Sequence, residues 1–182
     1  APTDTHGGDL LVWDIAGTSE PRRLATNLLD TVQSVSFTPD GRQLLALTSD
    51  WAVVAVDVST GTQTASFSRI DAKQPRPPWG QANLCLSPDG TKLAITSVSS
   101  LGVDIWDFKT GRILYSLPDQ EGTVWWLAWS PESQRLAVSR SNGDIAVWNL
   151  NEVERVLAKL GLTVGEPSVS RRPAQRPWFF SW

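Results

Sequence analysis

Few residues in this 182-residue chain have the type and spacing that catalysis or metal binding requires. The single His, His6, stands before Gly7-Gly8 at a predicted turn, and one imidazole without partners builds neither a catalytic triad nor a metal site. It reads as an ordinary surface His. The single Cys, Cys85, lies inside a predicted strand with no His nearby in sequence and reads as a small buried filler. Asp9, Asp104 and Asp144 recur at the start of one strand type and raise the question of Ca²⁺. They fall in different repeats, so turn chemistry is the simpler reading. Arg171, Arg172 and Arg176 with Trp178 could touch nucleic acid or lipid, but three Arg in a Pro-rich segment are expected to be a solvated linker. Phosphate-loop, dinucleotide-binding and zinc spacings are absent from the sequence. The expectation is therefore no catalytic, cofactor-binding or metal-binding residue, and no enzyme activity.

The strongest pattern is a repeat. A hydrophobic run ends in a Pro-containing turn three times: Thr38-Pro39-Asp40-Gly41, Ser87-Pro88-Asp89-Gly90 and Ser130-Pro131-Glu132-Ser133. The turns start at residues 38, 87 and 130, a spacing of 49 and then 43 residues. A second apolar run follows each, and a third closes on an aromatic–acid pair, Trp106-Asp107 and Trp148-Asn149. Val56-Asp57 occupies that place after the first turn, and Trp13-Asp14 belongs to an earlier unit. Repeats of this length with several short strands per unit predict β-propeller blades.

Each unit divides into strands a to d. Strand a is predicted at Val32–Phe37, Gln81–Leu86 and Val124–Trp129; strand b at Gln43–Thr48, Lys92–Ser97 and Arg135–Ser139. Strand c is predicted at Asp9–Ile15, Val53–Val58, Val103–Phe108 and Asp144–Leu150; strand d at Arg23–Leu28, Gln63–Phe67 and Arg112–Leu117. Large and small residues alternate along strand a, as an innermost strand between neighbouring sheets requires. Val, Ile and Trp enrich strand c, and Thr60-Gly61 and Thr110-Gly111 form the following hairpin turns. The organisation is a partial blade over 1–30, a blade over 31–70, a Pro-rich linker over 71–80, a blade over 81–119 and a last blade over 120–150. A helix over 151–162 follows, with Asn151 as N-cap, Glu154 completing a capping box, and an apolar stripe of Val153, Val156, Leu157 and Leu160. Gly161-Leu162 reads as its C-terminal cap. Residues 163–182 are rich in Pro, Ser and Arg, end in Trp178-Phe179-Phe180-Ser181-Trp182, and are expected to be disordered.

With these repeats in place, the chain resembles the WD-repeat (WD40) propeller family, on Leu11-Val12-Trp13-Asp14, Asp104-Ile105-Trp106-Asp107, Ala146-Val147-Trp148-Asn149 and the Pro-Asp-Gly turns. The fold class expected is all-β, about three four-stranded antiparallel blades of an incomplete ring, with one short helix. The continuation from Val153 to Leu162 resembles the segment that closes many bacterial members, including those fused to protein kinases. The resemblance implies a polar tetrad in each blade. Asp50 and Asn142 stand where its turn acid belongs, but Leu29, Pro78 and Glu121 fill the place of its His, so blade stability is expected to rest on apolar packing. Trp13, Asp14, Asp107 and Asn149 are read as structural repeat positions beside Trp106, Trp148, Asp50 and Asn142.

The resemblance also implies a function. The d–a and b–c loops of this family share the usual partner-binding face, which here carries Asp30, Trp51, Trp79, Glu121 and Arg140. Trp51 and Trp79 are the aromatic type that anchors interfaces. The leading expectation is a non-catalytic protein-interaction module, a C-terminal piece of a larger bacterial protein. The alternatives are an accessory propeller of a multidomain enzyme such as a Ser/Thr kinase, and a periplasmic TolB-like propeller. A net charge of −3 argues against a broad nucleic-acid or membrane field. One Cys excludes an intrachain disulfide and fits a reducing, cytoplasmic setting. The lack of Met, even at position 1, predicts a chain that starts within a longer protein. An open arc of blades exposes apolar sheet faces and is expected to associate with itself, with further blades or with another chain.

Overall fold

The computed structural model describes residues 8–17, 20–28, 31–68, 82–97, 101–118 and 121–162. Four antiparallel sheets follow one another along the chain, each with its strands in sequence order. Blade 1 is the pair β1 (Gly8–Val12) and β2 (Arg22–Leu28). Blade 2 holds β3 (Val32–Phe37), β4 (Gln43–Thr48), β5 (Ala52–Asp57) and β6 (Gln63–Ser68). Blade 3 holds β7 (Leu84–Leu86), β8 (Lys92–Thr96), β9 (Gly102–Asp107) and β10 (Arg112–Pro118). Blade 4 holds β11 (Val124–Trp129), β12 (Arg135–Arg140) and β13 (Ile145–Asn149), and α1 (Leu150–Lys159) follows. Among the described residues, the strand phase read from the repeat is the phase observed: two, four, four and three strands.

Blades pack face to face. One core cluster joins Leu45, Leu47, Val53 and Ala55 of blade 2 to Leu84, Leu86, Leu93, Ile95 and Trp106 of blade 3. A second joins Ala94, Val103 and Ile105 of blade 3 to Leu127, Leu136 and Val138 of blade 4. A third joins Leu10 and Leu24 of blade 1 to Leu44, Ala46, Val54 and Val56. Among the described residues, blade 1 contributes one strand pair to that last joint. Val35 and Phe37 on the inner strand β3 are therefore exposed, against the expectation that every strand-a side chain is squeezed. Hydrogen bonds stitch the same joints. Trp129 Nε1 donates to Cys85 O at 2.9 Å, Asn83 Nδ2 to Trp125 O at 2.6 Å, and Leu84 N to Ser34 Oγ at 3.3 Å.

The residue that closes strand c has one local role in every blade: its side chain accepts from the backbone that follows. Asp14 accepts from Ala16 N (3.0 Å), and Asp107 from Thr110 N (2.6 Å). Asp57 accepts from Ser59 N and Thr60 N, both at 2.8 Å. In blades 2 and 3 the chain then turns back through Gly61 and Gly111, both at positive φ. In blade 4 the same position, Asn149, caps a helix, accepting from Glu152 N at 3.3 Å. The helix therefore starts two residues before the capping box placed at Asn151 and Glu154. The cause is Leu150, fully buried directly after β13, which anchors the first turn to the blade. The stripe is corrected accordingly: Leu150, Val153 and Leu157 lie inward, whereas Val156 and Leu160 are exposed. The C-terminus is as expected. Gly161 takes φ +70, Gly161 N donates to Ala158 O and Leu162 N to Leu157 O, the paired bonds of a Schellman cap. Tyr115 Oη and Lys92 Nζ reach Glu154 at 3.0 and 2.8 Å and tie the helix to blade 3.

Candidate protein-interaction surface

The d–a and b–c loops lie side by side, as a shared rim requires. Ser49 N donates to Thr31 O at 2.8 Å in blade 2, and Ser141 N to Thr123 O at 2.9 Å in blade 4. On the blade 4 rim, Arg140 Nη1 stands 3.3 Å from Glu121 Oε2, with the Glu121 side chain well exposed. Asn142 and Asp144 close the b–c turn, with Asn142 Nδ2 donating to Asp144 Oδ2 (2.8 Å) and Asp144 N to Asn142 Oδ1 (3.1 Å). Of the five rim residues expected from sequence, Glu121 and Arg140 come together here. Asp30 and Trp79 lie outside the described residues, as do His6, the linker over 71–80 and the tail over 163–182.

Trp51 corrects its expectation of an exposed rim aromatic. It is 7% exposed and sits in the core cluster between blades 2 and 3. With Phe67, Ile95, Asp104 and Trp106 it lines a small cavity at that joint. Its φ is +63, and that left-handed turn, preceded by Asp50 accepting from the Thr48 hydroxyl and followed by Ala52 N donating to Asp50 at 3.3 Å, accompanies a ring buried in the joint. The sequence showed a Trp in a turn; the sign of φ was not in it.

Sequence reasoning missed Trp125. The ladder steps from Val124↔Arg140 to Trp126↔Ser139, so Trp125 is the extra residue of a β-bulge beside the Arg140 rung. Its ring is more than half exposed, while its carbonyl oxygen accepts from Asn83. The Trp125-Trp126 doublet inside an apolar strand was the available signal.

Trp106 is buried, its ring 5.5 Å from that of Phe67, and its Nε1 has no hydrogen-bond partner among the described residues. Trp148 packs partly buried against the blade 3–4 core, whereas Trp13 is exposed on blade 1. The Ser59 hydroxyl, then Thr60, hold the Asp57 carboxyl down at about 2. Burial pushes the Cys85 thiol up to about 12, which keeps it protonated and unreactive. Asp104 is buried and accepts from Ser116 Oγ at 2.5 Å, apart from the turn that holds Asp144. Among the described residues no cluster of three or more His, Cys, Asp or Glu could hold a metal ion. Among them, no helix is long and apolar enough to cross a membrane.

Comparison with known proteins defines the class. Residues 111–149 match the family model for the WD domain, G-beta repeat. The solved structure of U3-55K and the crystal structure of the RRP9 WD40 repeats both superpose with a TM-score of 0.57 at 22% identity. Each covers 68% of this chain, which spans 37% and 36% of theirs. The fold is that of β-propeller blades in an incomplete ring, like those of the WD40 structures it superposes on, and residues 111–149 carry the sequence match to the WD repeat. Among curated proteins, Autophagy-related protein 16 of Arabidopsis thaliana is 28% identical over 145 residues, and the Cytoplasmic dynein 1 intermediate chain of Drosophila melanogaster is 33% identical over 87. The chain matches 27% and 13% of their respective lengths. These organisms are eukaryotes, so the bacterial-type expectation drawn from the helical continuation finds no support in them.

Proposed function

We propose that this chain is a non-catalytic interaction module whose blade rim engages a protein partner. The observation that carries the reading is the blade 4 rim, where the bulged Trp125 ring stands exposed on the rung next to the Arg140–Glu121 pair. An exposed aromatic beside a charged pair is the composition of an interface hot spot. Asp30 and Trp79 extend the same rim in sequence. The matched relatives are named for autophagy and for a chain of the dynein motor, which fits a module working inside assemblies. The lone Cys and the relative named as cytoplasmic favour a cytoplasmic setting, and the net charge of −3 favours a protein partner over a nucleic-acid or membrane surface.

Affinity capture with the full chain as bait tests this. Proteins held by the natural chain should be lost from baits carrying Trp125→Ala or Glu121→Ala with Arg140→Ala. Capture of the same set by both rim variants would sink the proposal.

A further inference from the structure

Blade 3 carries an acid where its neighbours carry apolar residues. Two positions before the closing site of strand c stands Asp104 in blade 3, against Val54 in blade 2 and Ala146 in blade 4. Asp104 and Trp106 flank Ile105 along β9, so strand alternation puts both on the face that meets blade 2, while Ile105 packs toward blade 4. Asp104 is 2% exposed and Trp106 5%. A cavity of about 10 Å³ lies at that joint. Trp51, Val53 and Phe67 wall it from blade 2, and Thr96, Asp104 and Trp106 from blade 3. It has room for a single water molecule.

The polar groups on the wall complement one another. Trp106 Nε1 can only donate, and it is buried without a hydrogen-bond partner among the described residues. A buried donor left unpaired is costly, so this one calls for an acceptor small enough for the cavity. Asp104 accepts from Ser116 Oγ at 2.5 Å. A carboxylate accepts at about four lone-pair positions, so it takes a bond from a water as well. The Thr96 hydroxyl, which accepts from Asn83 N at 3.0 Å, is the third polar group on the wall. We infer that one ordered water molecule occupies this cavity, accepting from Trp106 Nε1–H and donating to the Asp104 carboxylate. Trp106, the water, Asp104 and Ser116 of β10 then form one chain of hydrogen bonds inside an otherwise apolar joint. Blades 2 and 3 are keyed together by that chain as well as by packing. The site is internal to the joint and stands independently of the partner reading above.

A crystal structure of the full chain that resolves ordered water tests this directly. One water should lie within about 2.7–3.2 Å of both Trp106 Nε1 and an Asp104 carboxylate oxygen. A cavity that lacks ordered water, or that a side chain of the protein fills, would overturn the inference. Nuclear magnetic resonance gives the same answer in solution. The Trp106 indole proton, assigned by its loss in Trp106→Phe, should show laboratory-frame and rotating-frame Overhauser effects to water of opposite sign, the mark of a long-held molecule. Effects of equal sign, which report simple proton exchange, or no effect, would overturn the inference. The signal should persist in Thr96→Val and in Ser116→Ala, which each remove a neighbouring hydroxyl. Its loss in either would assign it to that hydroxyl proton and overturn the inference too.

Discussion

Replacing Trp51 separates a ring buried in a blade joint from a ring presented at a rim. The side chain is buried in the core cluster that joins blades 2 and 3, so Trp51→Ala empties a large site. Large-to-small aromatic replacements of this kind cost about 3–5 kcal/mol. Backbone φ at this position is +63, a region disfavoured for any residue with a Cβ by about 1–2 kcal/mol. Trp51→Gly removes the same ring but relieves that penalty, offset in part by the greater entropy of Gly in the unfolded chain, about 0.5–1 kcal/mol. The Gly variant should therefore be the more stable of the two by about 0.5–1 kcal/mol, the reverse of the order within a helix or strand. Urea unfolding followed by far-UV circular dichroism measures both differences. An Ala variant losing less than about 1 kcal/mol would place the ring outside the core. A Gly variant less stable than Ala would refute the left-handed turn.

Trp106→Ala should cost about 3–5 kcal/mol, whereas Trp106→Phe should cost far less, because it keeps an aromatic against Phe67 and removes a buried Nε1–H that has no hydrogen-bond partner among the described residues; equal losses in urea titrations would contradict this. Asp57 has a folded carboxyl pKa of about 2, lowered from 3.8, so its contribution to stability is present above about 3.8 and lost as pH falls toward 2. Ser59→Ala should raise that value toward 3.8 in a carboxyl NMR titration, and an unchanged titration would show that the Ser59 hydroxyl is not its main support. The Cys85 thiol should resist a disulfide-exchange reagent at pH 8 in the folded chain and react promptly in urea, because burial holds its pKa near 12; fast reaction of the folded chain would remove it from the joint. Gly61→Ala should destabilise the chain, because a Cβ there would stand 2.6 Å from Leu24 O at a φ of +73; an unchanged urea midpoint would mean that blades 1 and 2 are not held this close.

Strand phase, blade order and the c–d hairpins were legible in the sequence because their determinants are local. Side-chain alternation sets the face of a strand, and Thr-Gly after Asp57 and Asp107 sets the turn. The Gly161-Leu162 cap was legible for the same reason: its bonds span only a few residues. The helix start was not, because Asn149 and Asn151 are both good caps and only the burial of Leu150 against blade 4 chooses between them. The direction of Trp51 was not legible either. A Trp in a turn reads as exposed until the sign of φ and the presence of blade 3 are known. The exposure of Phe37 and Val147 has the same origin. Each carries the apolar residue type of a core position, and the sequence cannot say whether a neighbouring sheet covers it. Residue type and spacing determined which faces are apolar; only the tertiary arrangement decided which were filled, because burial is a property of two sheets and the sequence of a strand describes one.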